Sequence, residues 1–175
     1  MNINGKRKLA VIALSVILAV SHSVTTAAHA VTAKVVPTCV DPILKYSGMK
    51  HLTKIQVYDL LRLVGFKGKD LKIAWAVAMK ETHGNPLAHN YNPRTGDDSY
   101  GMFQVNLYGA LKGRIKEYGL ESAKDLTDPV INAHIAYRMS STGKNWTPWH
   151  ADPGERDYKL VRYWLKAIPL VPTTA

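Results

Sequence analysis

Along most of this chain apolar residues recur at three- and four-residue spacing, the period of an amphipathic helix. Between Thr53 and Gly65 they fall at Val57, Leu60, Leu61 and Val64. Thr53 can cap the start of that helix and Gly65 can end it. A second helix is predicted from about Lys69 to Thr82. Its run from Ile73 to Met79 is apolar on every side, so it belongs in the middle of the fold. Further on, Asp128-Pro129 offers a cap followed by proline at the first helical position, with Val130, Ala133, His134 and Tyr137 on one face. That face makes His134 a buried imidazole. Asp152-Pro153 repeats the signal ahead of Val161, Trp164, Leu165 and Ile168.

Residues 83–98 break the helical pattern. His83-Gly84-Asn85-Pro86 stops the second helix, and Asn92-Pro93 with Thr95-Gly96-Asp97 supplies turn chemistry. A polar excursion of this length is long enough to carry function. No strand alternation of useful length and no internal repeat is present. The fold class is therefore mainly α, with a long loop or a small β-hairpin after the second helix.

The N-terminal residues are patterned differently. Lys6, Arg7 and Lys8 precede the apolar stretch Leu9 to Val20, and Ala28-His29-Ala30 fits a small-x-small cleavage site, the pattern of a secretory signal. The twelve residues of that stretch fall short of the ~20 a bilayer-spanning helix needs. The mature chain is expected to start at Val31 and to be secreted, extracellular or cell-wall associated. Val36-Pro37-Thr38 before Cys39 is a poor context for lipid attachment. Residues 31–52 hold Pro37 and Pro42 without a sustained period and read as a loosely packed leader. The expected division is signal 1–30, leader 31–52 and domain 53–175.

Composition narrows the classes. The 175 residues, 46% of them hydrophobic, close one core and not two. With 21% charged residues, four Trp and nine Tyr, the chain lies outside the disordered range. Its single Cys excludes an internal disulfide and a cysteine zinc site. Loss of the signal leaves 20 basic against 13 acidic residues, a net charge of +7. These residues are scattered and form no basic arm, so nucleic acid is not the expected partner. Anionic cell-wall polymers are, although the charge also serves solubility. A monomer is expected.

Glu81 is the only acidic residue between Asp70 and Asp97, and it sits where the apolar helix meets the Gly-Asn-Pro break. Desolvation by that helix and repulsion from the negative end of its dipole both disfavour an ionised carboxyl. A carboxyl kept protonated can act as a general acid, which glycoside cleavage needs to protonate the leaving oxygen. From position alone, a solvated residue at an ordinary helix end is the stronger reading.

The string Ala76-Val77-Ala78-Met79-Lys80-Glu81-Thr82-His83-Gly84-Asn85-Pro86, followed by Ser99-Tyr100-Gly101-Met102-Phe103-Gln104-Val105-Asn106, resembles the lytic transglycosylase and goose-type lysozyme superfamily. The likeness spans roughly residues 53–150. It implies a lysozyme-like domain in which Glu81 is the catalytic acid and Ser99, Gly101 and Gln104 belong to the substrate groove. A Gln amide can donate to and accept from sugar groups, a Ser offers a short hydroxyl, and a Gly lets backbone approach closely. Gln104 could equally satisfy the loop backbone. Tyr100, Met102 and Phe103 read as packing residues. Asn132 and Tyr137 resemble residues of the family's next helix that approach the cleft. Trp149 is assigned either to stacking on a sugar or to plugging the core.

The sequence also departs from that pattern. The Tyr-Asn-Ala-Gly block of many members is missing, and Asn145-Trp146-Thr147-Pro148-Trp149 takes its place. Asp97 and Asp98 are candidate second acids, while Asn106 stands where a goose-type enzyme has another. Metal chemistry through His83, His89, Asp97, Asp98 and the His150-Ala151-Asp152 pair lacks helical His-x-x-x-His spacing, so neither metal nor cofactor is expected. The resemblance implies cleavage of the β-1,4 link between N-acetylmuramic acid and N-acetylglucosamine in peptidoglycan glycan strands. A single acid favours a lytic transglycosylase over a hydrolytic muramidase. A non-catalytic peptidoglycan-binding module of the same fold is the reading from a different class.

Overall fold

A computed structural model describes residues 41–169. The expected signal, the first part of the leader and Cys39 lie outside the described residues. Among those described, the chain forms five α-helices, several short 3-10 turns and one three-stranded antiparallel sheet. It is mainly α.

Helix α1 (Lys54–Val64) starts at a capping box: the Thr53 side chain accepts from the Gln56 N–H, and the Gln56 side chain accepts from the Thr53 N–H. Two otherwise unpaired donors are satisfied by this exchange. Val57, Leu60, Leu61 and Val64 form its buried face, and Gly65 ends it at φ 122°. Helix α2 (Gly68–Thr82) runs through the core of the described residues. Every residue from Ala74 to Met79 is 0% exposed, and burying a large side chain such as Trp75 contributes roughly 1.5–3 kcal/mol. The helix stops because His83 turns left-handed at φ 57° and its N–H returns to the Met79 carbonyl.

After that break come β1 (His89–Asn92), β2 (Asp97–Tyr100) and β3 (Val105–Asn106). The expected hairpin is present, and β3 extends it beyond the sequence pattern. Two residues are too few to show alternation. A one-turn helix α3 (Arg114–Glu117) leads by way of the 3-10 turn Ala123–Thr127 to α4 (Pro129–Met139). Asp128 caps α4 by accepting from the Val130 and Ile131 N–H groups. Its buried face runs through Asn132, Ala133, Ile135 and Ala136, so His134 is exposed and the expected buried imidazole is corrected.

The last helix, α5, spans Tyr158–Leu165 and begins five residues beyond the expected Asp152-Pro153 start. Asp152 caps a different piece of backbone, accepting from the Trp146 N–H and the Thr147 hydroxyl. Val161 is buried, and Trp164, Leu165 and Ile168 pack against the core as the spacing predicts. Helices α1 and α5 flank α2.

The expectation of a loose leader is corrected over residues 41–50. The turn Pro42–Tyr46 buries Ile43 and Tyr46. Lys45 and Tyr46 donate to Asp59 of α1, and Ser47 and Gly48 donate to Asp128. These contacts lie 13 or more residues apart in sequence, out of reach of local periodicity. No helix of the described residues is long and apolar enough to cross a membrane.

Candidate active site

A cleft of about 520 Å³ opens where the C-terminal turn of α2, the sheet and the segment before α5 meet. Glu81 lines it from the last turn of α2. Strand pleating explains the opposite wall, since alternate side chains share a face. Asp97 and Ser99 of β2 point into the cleft; Asp98 and Tyr100 are not among its lining residues. Asn90 and Asn106 lie directly across from Ser99 on the neighbouring strands and line the cleft with it. The sheet thus presents a polar row to Glu81.

Burial holds the Glu81 carboxyl above the usual carboxylate range. Lys80 pulls in the other direction, and the negative charge of Asp157 pushes the same way as burial. The Lys80 side chain is only 5% exposed, with its Nζ 2.6 Å from Glu81 Oε1. That ammonium also donates to the Trp149 carbonyl at 2.8 Å and to Asp157 Oδ2 at 3.2 Å. Asp157 is itself partly buried, but bonds from Arg156 and Lys80 outweigh that burial and hold it below the usual range. One carboxyl of the cleft is therefore pushed towards its protonated form and a neighbour towards its charged form.

The wall opposite is anchored from three sides. Gly101 to Gln104 connect β2 to β3, and the Thr82 hydroxyl donates to the Met102 carbonyl. Asn132, fully buried on α4, accepts from the Phe103 N–H and donates to the Tyr100 carbonyl. Trp149 Nε1 donates to the Phe103 carbonyl at 2.6 Å. Gln104 then sits at φ 48°, a left-handed conformation that costs a non-glycine residue energy and recurs at functional sites. Its Nε2 donates to the Gly101 carbonyl, and the side chain faces the cleft.

The sequence-derived assignments divide accordingly. Glu81, Ser99, Gln104, Asp97 and Trp149 line one cleft. Gly101 does not: at φ 73° a Cβ there would lie 2.2 Å from the Leu126 carbonyl oxygen and 2.3 Å from Asn132 Nδ2. Its smallness serves packing against α4. Asn132 spends its amide on backbone groups, and Tyr137 packs edge-on against Phe66 beside a separate pocket at Gly65 and Asp70. Neither reaches the cleft. Trp149 is a core plug as well as a wall, 5% exposed and packed on Phe103 and Trp146.

Asp98 is bonded to His89, which stacks on Tyr100 at 4.1 Å. The bond from His89 holds Asp98 below the usual carboxylate range. Asn106 does line the cleft, yet its amide is used within the hairpin. It accepts from the Asp98 and Tyr108 N–H groups and donates to the Gly96 carbonyl. Of the residues weighed for a metal, His89 and Asp98 meet at 2.9 Å, and no cluster of three or more His, Cys, Asp or Glu side chains suited to a metal occurs among the described residues.

Lys80, Asn90, Arg156 and Asp157 were not foreseen from the sequence. Lys80 carried a signal, as the first charged residue after the apolar run of α2. Asp157 carried none, because only the packing of α5 on α2 brings it 77 positions back to Lys80.

Residues 58–151, more than half of the chain, match a family model described as a lysozyme-like domain. The chain belongs to the lysozyme-like domain family. Its central buried helix with Glu81 in the last turn, and a small sheet facing that glutamate, is the fold of a peptidoglycan-related glycosidase. No match was found among curated proteins or solved structures.

Proposed function

We propose that the protein cleaves the β-1,4 link between N-acetylmuramic acid and N-acetylglucosamine of peptidoglycan, with Glu81 as general acid and then general base. The observation that carries this reading is Glu81 itself: a carboxyl raised above its ordinary range by burial, at the end of a rigid helix and in a cleft walled by amide and hydroxyl groups. Protonation of the glycosidic oxygen by Glu81 breaks the bond to the muramyl C1 as that sugar becomes cationic. The resulting Glu81 carboxylate then takes the proton of the attacking hydroxyl.

A lytic transglycosylase uses the muramyl 6-hydroxyl as that attacking group and needs one acid only. The other carboxyls of the neighbourhood support this outcome. Asp98 is tied to His89, Asp157 to Lys80 and Arg156, and an amide stands at Asn106. Asp97 favours the second reading, a muramidase, because it lines the same cleft and could hold a water. Its Oδ2 already accepts from the Thr95 hydroxyl inside the turn at 2.7 Å, which supports a turn-forming role. The basic signal-like segment of residues 1–30 supports an exported protein acting at the wall.

Mass analysis of the muropeptides released from purified wall tests the reading. Products ending in 1,6-anhydro-muramic acid are expected. Reducing-end muramic acid as sole product, with activity lost in Asp97→Asn, would make the protein a muramidase. Wall binding without release by the wild-type chain would make it a binding module.

A further inference from the structure

The buried ammonium of Lys80 is the least expected group in the cleft. A lysine side chain 5% exposed is costly unless its charge is compensated, and this one is compensated at three points: Glu81, Asp157 and the Trp149 carbonyl. The three partners come from three parts of the chain: the end of α2, the residue before α5 and the turn Thr147–Trp149. Each of them is a cleft wall.

From this arrangement we infer that Lys80 and Asp157 are a pair of positioning residues, Lys80 fixing the Glu81 carboxylate by a direct ion pair and Asp157 drawing part of the Lys80 charge away from it. The inference rests on the proposed role of Glu81 and adds how that role is set. An uncompensated cation 2.6 Å from Glu81 would favour the charged carboxylate and weaken it as an acid. Asp157, bonded to the same Nζ, opposes that effect. A second consequence is mechanical. When Glu81 gives up its proton, Lys80 is already in place to stabilise the carboxylate that remains, and no group has to move.

Other charges face Glu81 as well. Arg156 and His150 stand on the rim beside Asp157, and Asp97 lies on the sheet wall. Arg156 is 74% exposed along its side chain and His150 is 52% exposed, so solvent screens both more than it screens Lys80.

The test is an NMR titration of the Glu81 carboxyl in the whole chain, compared for wild type, Asp157→Asn and Lys80→Met. Asp157→Asn should move the midpoint down by about one pH unit and Lys80→Met should move it up by about as much. The alkaline limb of wall lysis should follow in the same directions, because an acid catalyst fails once it is deprotonated. Asp157 sits at the cleft edge, so Asp157→Asn carries the test if Lys80→Met does not fold. A purely structural pair would lower the melting temperature and leave the Glu81 midpoint unmoved, and that result would overturn the inference. The titration reads the carboxyl whether or not the wall is cut. Shifted midpoints in a chain without lytic activity would contradict the proposed function and leave this coupling intact.

Discussion

Glu81 keeps a raised affinity for its proton although Lys80 Nζ lies 2.6 Å from its Oε1. An exposed pair at that distance would hold the carboxyl ionised. Here burial in the last turn of α2 outweighs the cation, whose charge is also shared with Asp157. Local helix sequence and tertiary packing thus act on the same carboxyl with opposite sign.

That balance makes the folded state pay for its acid as pH rises. The unfolded chain ionises a glutamate near pH ~4.3, while the folded chain holds its proton longer, so the contribution of Glu81 to stability falls between that pH and its folded midpoint. Glu81→Gln removes this loss. Its melting temperature should exceed that of wild type at pH 7, with the gap closing below about pH 4. A lower melting temperature for Glu81→Gln at pH 7 would show that the Lys80 pair outweighs burial.

Asp59 titrates the opposite way. Its burial would raise it, but bonds from Lys45, Arg62 and Tyr46 together bring it down to about 2. A depressed folded value means stability that is present above the unfolded value near pH ~3.9 and lost as pH falls towards the folded one. Asp59→Asn should cost about 1 kcal/mol at pH 7, and the difference should shrink on acidification from pH 4 to 2. A pH-independent difference, measured by denaturant unfolding, would mean that the turn Pro42–Tyr46 is not fastened to α1 through this carboxylate.

The helices were legible because their evidence is local. Thr53, Gly65, Asp128 and the spacing of Val57, Leu60, Leu61 and Val64 act within one or two turns, and each does what its position predicts. Asp152-Pro153 misled for a physical reason: the same cap chemistry was taken up by Trp146 and Thr147, six and five residues earlier. Within the site, the charge pattern of one helix singled out Glu81, and the resemblance was needed to make it a candidate acid. Ser99 and Gln104 could be read from the resemblance. Asn132 and Gly101 were misplaced because a residue that shapes a cleft wall and one that touches the ligand leave the same trace in a sequence. Asp157 was invisible because no local pattern reports α5 docking on α2.

Gly101, Asn132 and Tyr137 separate those two kinds of residue by experiment. Gly101→Ala sets a Cβ 2.2 Å from the Leu126 carbonyl oxygen at a left-handed φ and should destabilise by more than about 3 kcal/mol. Asn132→Ala strands the buried Phe103 N–H and the part-buried Tyr100 carbonyl and should cost about 2–4 kcal/mol. Tyr137→Phe, beside Phe66 and away from the cleft, should keep wild-type lysis. Substrate-contact roles would show instead as lost lysis with unfolding free energies unchanged, and reduced lysis by a stable Tyr137→Phe would place that hydroxyl in the site.

The most direct test of the account is wall lysis by Glu81→Gln, assayed together with wall binding and thermal unfolding. Gln preserves the shape of the side chain and cannot deliver a proton, and general acid catalysis contributes roughly 10²–10⁴-fold. The expected result is a folded variant that still binds wall and releases muropeptides at least about 100-fold more slowly than wild type. Release at the wild-type rate by a folded Glu81→Gln protein would contradict the assignment of Glu81 as the acid.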